Sequence, residues 1–163
     1  MYRKRLQTGV TVIELMVTVT VLGIILTVGV PSLGQFLRNS ELNAVTHQIQ
    51  EAMVYARAEA VNRQRNIRVC PLNQGNGGCR NGRVWSEGMV VYEDLNGNGS
   101  FDAPAEELKI VDYSNGTTVN WNGALQIQFN SFGRTGNVGT FDISVTGLRR
   151  QMALAGSGRI RYL

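Results

Sequence analysis

One apolar stretch constrains this chain more than any other feature. The segment Val10–Val30 has 21 residues, is rich in Val, Ile and Leu, and carries Glu14 as its single charge. A helix of that length rises roughly 30 Å, the hydrocarbon thickness of a bilayer. Arg3, Lys4 and Arg5 precede it, and the positive-inside tendency keeps such an end in the cytoplasm. The sequence therefore predicts a membrane span with the rest of the chain outside the cytoplasm.

Two classes of apolar segment have to be distinguished, a cleaved secretory signal and a retained anchor. A secretory signal has a shorter apolar core and a small-residue cleavage site, whereas here Pro31 leads into a further helical pattern. We therefore expect an anchor. Glu14 lies inside its apolar helix, where a charge costs at least a few kcal/mol in lipid unless it has a partner. We interpret Glu14 as a functional residue.

The residues around this segment resemble the class III signal of type IV pilins and pseudopilins. A short basic leader ends in Gly9, Glu14 is the fifth residue after it, and Pro31 follows the apolar helix. The resemblance implies that a prepilin peptidase cuts between Gly9 and Val10 and methylates Val10, the new N-terminus. It also implies that Glu14 pairs with the N-terminal amine of a neighbouring subunit during assembly. The family's usual first mature residue is Phe, and Val10 departs from that pattern.

The sequence beyond Pro31 has the pattern of an amphipathic helix that ends near Asn62. Apolar residues recur at spacings of three and four, which is the period of an α-helix, and polar residues occupy the opposite face. One stripe of this helix should therefore lie on a domain core. With the apolar segment it forms a predicted helix of about 50 residues, bent or broken near Pro31. The apolar stripe consists of Leu33, Phe36, Leu37, Val45, Ile49, Ala52, Met53, Ala56 and Ala60.

After Arg65 the sequence changes to short β-branched and aromatic runs separated by Gly and Asn, which is typical of strands and turns. The predicted fold class is α+β, with a long N-terminal helix packed on antiparallel β-sheets, and the pilin resemblance implies the same fold. Aromatic residues of these runs are predicted to lie in the core, namely Trp85, Phe129, Phe132 and Phe141. The predicted strands are Asn66–Cys70, Val84–Glu93, Leu108–Tyr113, Thr117–Trp121, Leu125–Phe129, Thr140–Val145, Arg150–Ala155 and Arg159–Leu163.

These segments divide the chain into four predicted parts. Residues 1–9 form the leader, 10–30 the transmembrane and filament-core helix, 31–64 the amphipathic helix, and 65–163 one β-rich globular domain. A domain of roughly 100 residues can bury one modest core. Loss of the leader removes three cations, so the formal charge of +4 falls to +1. Net charge alone therefore does not predict a polyanionic partner.

The distribution of charge is more informative than its sum. Between Val84 and Asp112 there are seven acidic residues, and Lys109 is the one basic residue among them. After Asp142 there are four arginines and no acid. The C-terminal end is therefore locally basic.

Cys70 and Cys79 bracket a loop rich in Pro, Gly and Asn. In an extracytoplasmic domain, two cysteines in this arrangement predict a disulfide. On a chain-entropy estimate the bond contributes about 2–3 kcal/mol. A redox or zinc site of the CxxC type does not fit the spacing or the number of ligands.

The segment Asp94–Asp102, DLNGNGSFD, is similar to the first nine positions of a calcium loop, with oxygen-bearing side chains at alternate residues and Gly99 sixth. The twelfth position, which requires a bidentate acid, is Ala105, and Glu106 and Glu107 come one and two residues late. Two interpretations stay open. One is a weak structural calcium site, and the other is a turn-rich hairpin whose Asn-Gly pairs adopt positive φ. No metal or cofactor is assigned from this pattern.

Further motifs narrow the resemblance. The segments Trp85–Asp94, Ile127–Arg134 and Gly158–Arg161 are similar to those of the GspH/FimT group of minor pilins and pseudopilins. In the FimT branch the C-terminal G-R-x-R motif is associated with DNA binding during natural transformation. Here that motif reads GRIR and assigns the role to Arg159 and Arg161.

Arginine chemistry supports the same assignment independently. On a strand, Arg159 and Arg161 project to one face about 7 Å apart, close to the separation of adjacent phosphates on a DNA strand, and guanidinium groups suit phosphate geometry. Arg134, Arg149 and Arg150 could extend the patch, which predicts non-specific, micromolar or weaker, salt-dependent binding. The alternative is that Arg159 and Arg161 are solvated edge-strand charges that prevent unwanted strand pairing.

We expect no enzymatic activity, because the serines lie in no nucleophile motif and the phosphate-cradling glycine signatures are absent. Three functions stay open: a structural minor pilin that primes or caps a type IV pilus, a DNA-binding subunit for natural transformation, and a pseudopilin of type II secretion. The G-R-x-R motif favours the second. The resemblance implies a single-pass inner-membrane subunit with a periplasmic domain, later assembled into the pilus at the cell surface. The implied partners are other pilins, the prepilin peptidase and DNA.

Overall fold

The computed structural model describes residues 9–114 and 116–163, and it leaves undescribed the side chains of residues 28–32. The leader cations Arg3, Lys4 and Arg5 lie outside the described residues. Within the described ranges the chain forms one α-helix followed by nine β-strands.

Helix α1 runs over Val12–Arg63, a length of 52 residues. Thr11 caps its start, because the Thr11 hydroxyl accepts a hydrogen bond of 3.3 Å from the backbone N–H of Glu14. Gln64, with a φ of 57°, ends the helix in the left-handed region. The helix is assigned through Pro31 without interruption, so the chain is not broken there.

The chain divides into two compact units, Met1–Leu37 and Arg38–Leu163. Apolar side chains are exposed along the described part of the first unit's helix, and the prediction that Leu33, Phe36 and Leu37 join the core is wrong, since they are 58–67% exposed. These three residues belong to a unit that has no sheet to cover them. Among the described residues, no helix is both long enough and apolar enough to cross a membrane.

The second unit has a core built on the C-terminal half of α1. Its buried helix residues recur every three or four positions and therefore share one face. That face belongs to one hydrophobic cluster with the inward side chains of the strands, including Trp85, Trp121 and Phe141. The rings of Trp121 and Phe141 lie 4.4 Å apart between centroids. The buried apolar helix residues are Leu42, Val45, Ile49, Ala52, Met53, Ala56 and Ala60.

A five-stranded antiparallel sheet forms one part of this unit. Its central strand β1 pairs with β3 along one edge and with β2 and β6 along the other, and β4 pairs with the far edge of β3. The strands are β1 (Ile67–Asn73), β2 (Gly78–Cys79), β3 (Gly88–Glu93), β4 (Glu107–Asp112) and β6 (Ile127–Phe129).

A four-stranded antiparallel sheet forms the other part, in the order β5-β7-β8-β9. Strand β9 is therefore an edge strand. The strands of this four-stranded sheet are β5 (Thr117–Trp121), β7 (Gly139–Val145), β8 (Leu148–Leu154) and β9 (Ile160–Tyr162). The predicted fold class is confirmed, and all eight predicted strands overlap observed ones. Strand β2 was missed because its two residues are too short to show a pattern.

The predicted disulfide is present. Cys70 and Cys79 are bonded, with their Cα atoms 5.6 Å apart. The bond fastens β2 to β1, which the hydrogen-bonded pair Leu72 and Cys79 also joins. It therefore holds the Pro/Gly/Asn loop against the five-stranded sheet.

Candidate nucleic-acid interface

The register of β9 places two of the predicted arginines on the outer face of the four-stranded sheet. Ile160 lies opposite the buried Leu154, whereas Arg161 lies opposite Ala153. Arg159 follows the same alternation as Arg161, because they are two residues apart. Both arginine side chains are exposed, and neither forms an ion pair with any described residue.

Two glycines bring a third arginine to this strand. Gly158 has a φ of 75° and Gly133 a φ of 69°. A Cβ atom on Gly158 would collide with the carbonyl oxygen of Gly133. Arg134 and Arg159 directly follow these touching glycines, so their backbones are neighbours although 25 positions separate them in the chain.

Arg57 of α1 holds this contact in place. Its Nε donates a hydrogen bond of 3.0 Å to the carbonyl oxygen of Gly133, and its Cδ lies 3.2 Å from the point where a Cβ of Gly158 would sit. The two turns are also tied by a hydrogen bond of 3.1 Å from the Thr135 backbone N–H to the Gly156 carbonyl. Nothing in the sequence marks Arg57 for this role, since it precedes Gly133 by 76 residues.

The turn before Arg134 is organised by Asn130. The Asn130 side-chain oxygen accepts hydrogen bonds of 3.0 Å from the backbone N–H groups of Phe132 and Arg134. Phe132 lies at the tip of this turn and is 79% exposed, so the prediction that it belongs to the core is wrong. Its neighbour Phe129 is fully buried, because it lies on β6 rather than in the turn.

Arg149 lies on the outer face of the same sheet but is ion-paired. Its Nε donates to Oδ1 of Asp142 at 2.6 Å, and its Nη2 contacts the other carboxylate oxygen. The hydrogen bond from Arg149 lowers the pKa of Asp142 below its ordinary value, and the pKa of Arg149 is raised in turn. The charge of Arg149 is therefore balanced locally.

Arg150 points away from the outer face. It is adjacent to Arg149 on β8, so strand alternation turns it to the opposite side, where its Nη1 donates to Oδ1 of Asn43 on α1 at 2.6 Å. Tyr162 makes a similar connection, since its hydroxyl donates to Oε1 of Gln50 at 2.8 Å. The structure thus brings Arg134, Arg159 and Arg161 together and separates Arg149 and Arg150 from them by pairing and by orientation.

The residues predicted for processing and assembly lie at the start of α1. Gly9 and Val10 precede the helix, and Val10 is 72% exposed. Glu14 is in the first helical turn and is also exposed. These three residues are therefore at the N-terminal end of the described chain, in the unit that does not hold the arginines.

The profile of a protein family described as "Type II transport protein GspH" matches residues 45–158. This chain belongs to the GspH family. Two solved structures similar to it are crystal forms of the type IV minor pilin FimU of Pseudomonas aeruginosa strain PAO1. The P21 form is 21% identical, covers 78% of this chain and 92% of that chain, and has a TM-score of 0.58. The P65 form is 22% identical, covers 76% and 88%, and has a TM-score of 0.50.

These likenesses confirm the predicted pilin fold. No curated protein sequence matches the chain. Family and fold together confirm the predicted resemblance to the GspH/FimT group.

Proposed function

We propose that this subunit binds DNA without sequence preference through an arginine surface made of Arg134, Arg159 and Arg161, and that it serves DNA uptake in natural transformation. The observation that carries the proposal is the grouping of three exposed arginines, without carboxylate partners among the described residues, at one place beside β9, where Gly133 touches Gly158. Five arginines of the described residues form ion pairs with carboxylates, namely Arg63, Arg65, Arg68, Arg80 and Arg149. The three of the arginine surface are exposed and have no such partner among the described residues.

The rigid attachment of the arginine surface to the rest of the domain also supports the proposal. Gly133 and Gly158 touch, and β9 is fastened to α1 through Tyr162 and Gln50. The backbone that carries the arginines is therefore ordered before a ligand arrives, which reduces the entropy lost on binding. Contacts of this kind are made to phosphates and carry no sequence information.

For the N-terminal segment we propose the processing that the family resemblance implies. A prepilin peptidase cuts between Gly9 and Val10 and methylates Val10, and Glu14 then pairs with the N-terminal amine of a neighbouring pilin subunit. Residues 10–30 anchor the subunit in the inner membrane before assembly into the pilus. The helix of residues 31–64 and the domain of residues 65–163 stay outside the cytoplasm. The exposure of Val10 and Glu14 is compatible with both reactions.

A second candidate function is that of a pseudopilin of type II secretion, which the description of the matching family favours. In that function the arginine surface has no DNA ligand, and Arg159 and Arg161 act as edge charges that keep β9 from pairing with another strand. A structural minor pilin that primes pilus assembly would use them in the same way. DNA binding therefore separates the first candidate from the other two.

The test is fluorescence anisotropy with short labelled DNA duplexes of two unrelated sequences, using the full chain in non-ionic detergent across a salt series. We expect saturable binding of both duplexes, with log K falling against log salt at a slope of about −3 for three phosphate contacts. The double variant Arg159→Gln, Arg161→Gln should weaken binding about tenfold or more and reduce the slope to about −1.

A matched control removes the same charge elsewhere. Arg38 and Arg83 are exposed and unpaired among the described residues, and the Arg83 carbonyl accepts a hydrogen bond from Trp121 of β5, at the edge of the sheet opposite β9. The double variant Arg38→Gln, Arg83→Gln should bind DNA as the wild type does. An equal loss in this control, or no saturable binding by the wild type, would contradict the proposed site.

A further inference from the structure

The loop between β3 and β4 contains a buried carboxylate oxygen without a partner. The side chain of Asp94 is only 6% exposed. Its Oδ2 accepts a hydrogen bond of 2.9 Å from the backbone N–H of Gly99, inside the loop, and lies 3.2 Å from Nε of Arg68 on β1. Its Oδ1 is buried and has no hydrogen-bond partner among the described residues. A buried carboxylate oxygen left unpaired is costly, and a cation ligand removes that cost.

Side chains of the same loop converge on a second carboxylate. The amide nitrogens of Asn96 and Asn98 both lie 2.7 Å from Oδ2 of Asp102. Counted from Asp94, these three residues occupy positions three, five and nine, which are ligand positions of a calcium loop. Gly99 occupies position six with a φ of 77°, as the sharp turn of such a loop requires.

From these contacts we infer that the segment Asp94–Asp102 binds a calcium ion. Oδ1 of Asp94, the amide oxygens of Asn96 and Asn98, the backbone carbonyl of Ser100 and the carboxylate of Asp102 supply the ligands. The two amide oxygens already accept the backbone N–H groups of Asn98 at 2.9 Å and Ser100 at 2.7 Å, and each has a second lone pair for the ion. Calcium takes the place of the two amide N–H groups as the partner of Asp102. Oxygen ligands of this mixed kind, completed by water, suit Ca²⁺ better than the smaller and more rigid Mg²⁺.

Glu106 explains how the loop does without an acid at its twelfth position. It is 3% exposed, and its two carboxylate oxygens accept hydrogen bonds from the backbone N–H groups of Leu95 at 2.8 Å and Asp102 at 3.0 Å. Glu106 therefore joins the two ends of the loop and does not coordinate the ion. The loop is held in shape before calcium arrives.

The charges present set the strength of the site. Asp94 and Asp102 are its only carboxylate ligands, and no cluster of three or more His, Cys, Asp or Glu suited to a metal occurs in the described residues. Arg68, whose guanidinium contacts Asp94, opposes a second cation. We therefore place the dissociation constant at about 10⁻⁴–10⁻³ M, the range of extracellular calcium modules.

Isothermal titration calorimetry with CaCl₂ tests the site on the full chain in non-ionic detergent. Asp94→Asn and Asp102→Asn should each weaken binding about tenfold or more, because each removes one of two ligand charges. Asp112→Asn, which removes an exposed acid at the end of β4, is the control and should bind as the wild type does. Saturating calcium should raise the unfolding temperature of the wild type by about 3–8 °C, and of the two loop variants far less.

Two variants keep the test decisive if Asp94→Asn misfolds through loss of the Arg68 contact. Asp102 is exposed, so Asp102→Asn leaves the core intact. Terbium luminescence adds a spectroscopic readout, because the Tyr92 hydroxyl donates to the carbonyl of Gly99 at 3.3 Å and can sensitise an ion in the loop. Tyr92→Phe should abolish that luminescence while the calcium titration is unchanged. No saturable calcium binding in the wild type, or equal binding in Asp102→Asn, overturns the inference.

Discussion

The acidic region around the β3–β4 loop and the arginine surface beside β9 use their charges differently. Glu93 contacts both Arg63 and Arg65, and Glu106 accepts two backbone N–H groups. Most of the acidic region's carboxylates therefore bind groups of the same chain. The arginine surface has no carboxylate partner within the described part of the chain.

This difference shows that charge density in a sequence does not indicate which surface is open to a partner. Between Val84 and Asp112 the sequence is more strongly charged than its C-terminal end, yet its acids mainly hold the fold. Exposed cations without partners contribute little to stability. We therefore expect such cations to act through a bound partner. Variants in the acidic region and variants in the arginine surface both test this difference.

The largest expected effect is on the acidic region. Glu106→Ala should lower the free energy of unfolding by about 2–4 kcal/mol, because it removes a buried carboxylate that accepts two charge-assisted hydrogen bonds, from the backbone N–H groups of Leu95 and Asp102. Urea unfolding of the full chain in detergent measures this. The adjacent Glu107 is exposed, and Glu107→Ala should change stability by no more than about 0.5 kcal/mol. Similar losses in the two variants would mean that the carboxylate of Glu106 does not hold the loop.

The next effect tests the contact that assembles the arginine surface. Gly158→Ala should cost about 1–3 kcal/mol, because alanine is strained at a φ of 75° and its Cβ meets the Gly133 carbonyl. DNA affinity should fall as well, since Arg159 moves with the turn. Gly156→Ala is the control, because a Cβ there has ordinary contacts at 3.4 Å and beyond. Equal stability of the two variants would contradict the close glycine contact.

These two regions also show what the sequence can and cannot predict. Local periodicity was sufficient for Thr117–Trp121, whose alternation of buried and exposed residues matches the predicted strand, and cysteine spacing was sufficient for the disulfide. Arg149 and Arg150 face opposite sides of β8 because they are adjacent on a strand. Which of the two faces outward depends on the register of β8, since a slip by one residue would exchange them. Sequence patterns do not fix such a register in a strand with polar residues on both faces.

Contacts between residues that are far apart in the chain could not be predicted from the sequence, for a different reason. Gly133, Gly158 and Arg57 come from two turns and a helix, and no local pattern relates them. The exposure of Phe132 follows from the turn built by Asn130, whereas composition alone favours burial of a phenylalanine. All three members of the arginine surface were therefore named from the sequence, together with Arg149 and Arg150. Which of the three additional arginines lies beside Arg159 depends on the fold, through the contact of Gly133 with Gly158.

A smaller effect, on DNA affinity, is expected from a variant that leaves a paired arginine without its partner. Asp142→Asn removes the carboxylate that binds Arg149, so a fourth arginine on the outer face becomes available to phosphates. We expect DNA affinity to rise about fivefold and the salt slope to steepen by about 0.9. Anisotropy with the same duplexes measures both. Asp112→Asn makes the same charge change outside that sheet and should have less effect, and an equal gain there would attribute the change to net charge alone.

The smallest effect concerns the titration of Asp142 itself. Because Arg149 lowers the pKa of this carboxyl, Arg149→Gln should raise the pKa toward its ordinary value, as measured by NMR titration of the Asp142 carboxyl. The sign follows from linkage: a depressed pKa gives stability that is present above the unfolded value of about 3.9 and lost as the pH falls through the folded value. Arg149 therefore stays paired from neutral pH down to about pH 4, and DNA binding through the other three arginines should not change with pH over that range. Identical titration midpoints in Arg149→Gln and wild type would show that the pair is not formed in solution, and Arg149 would then belong with the arginine surface.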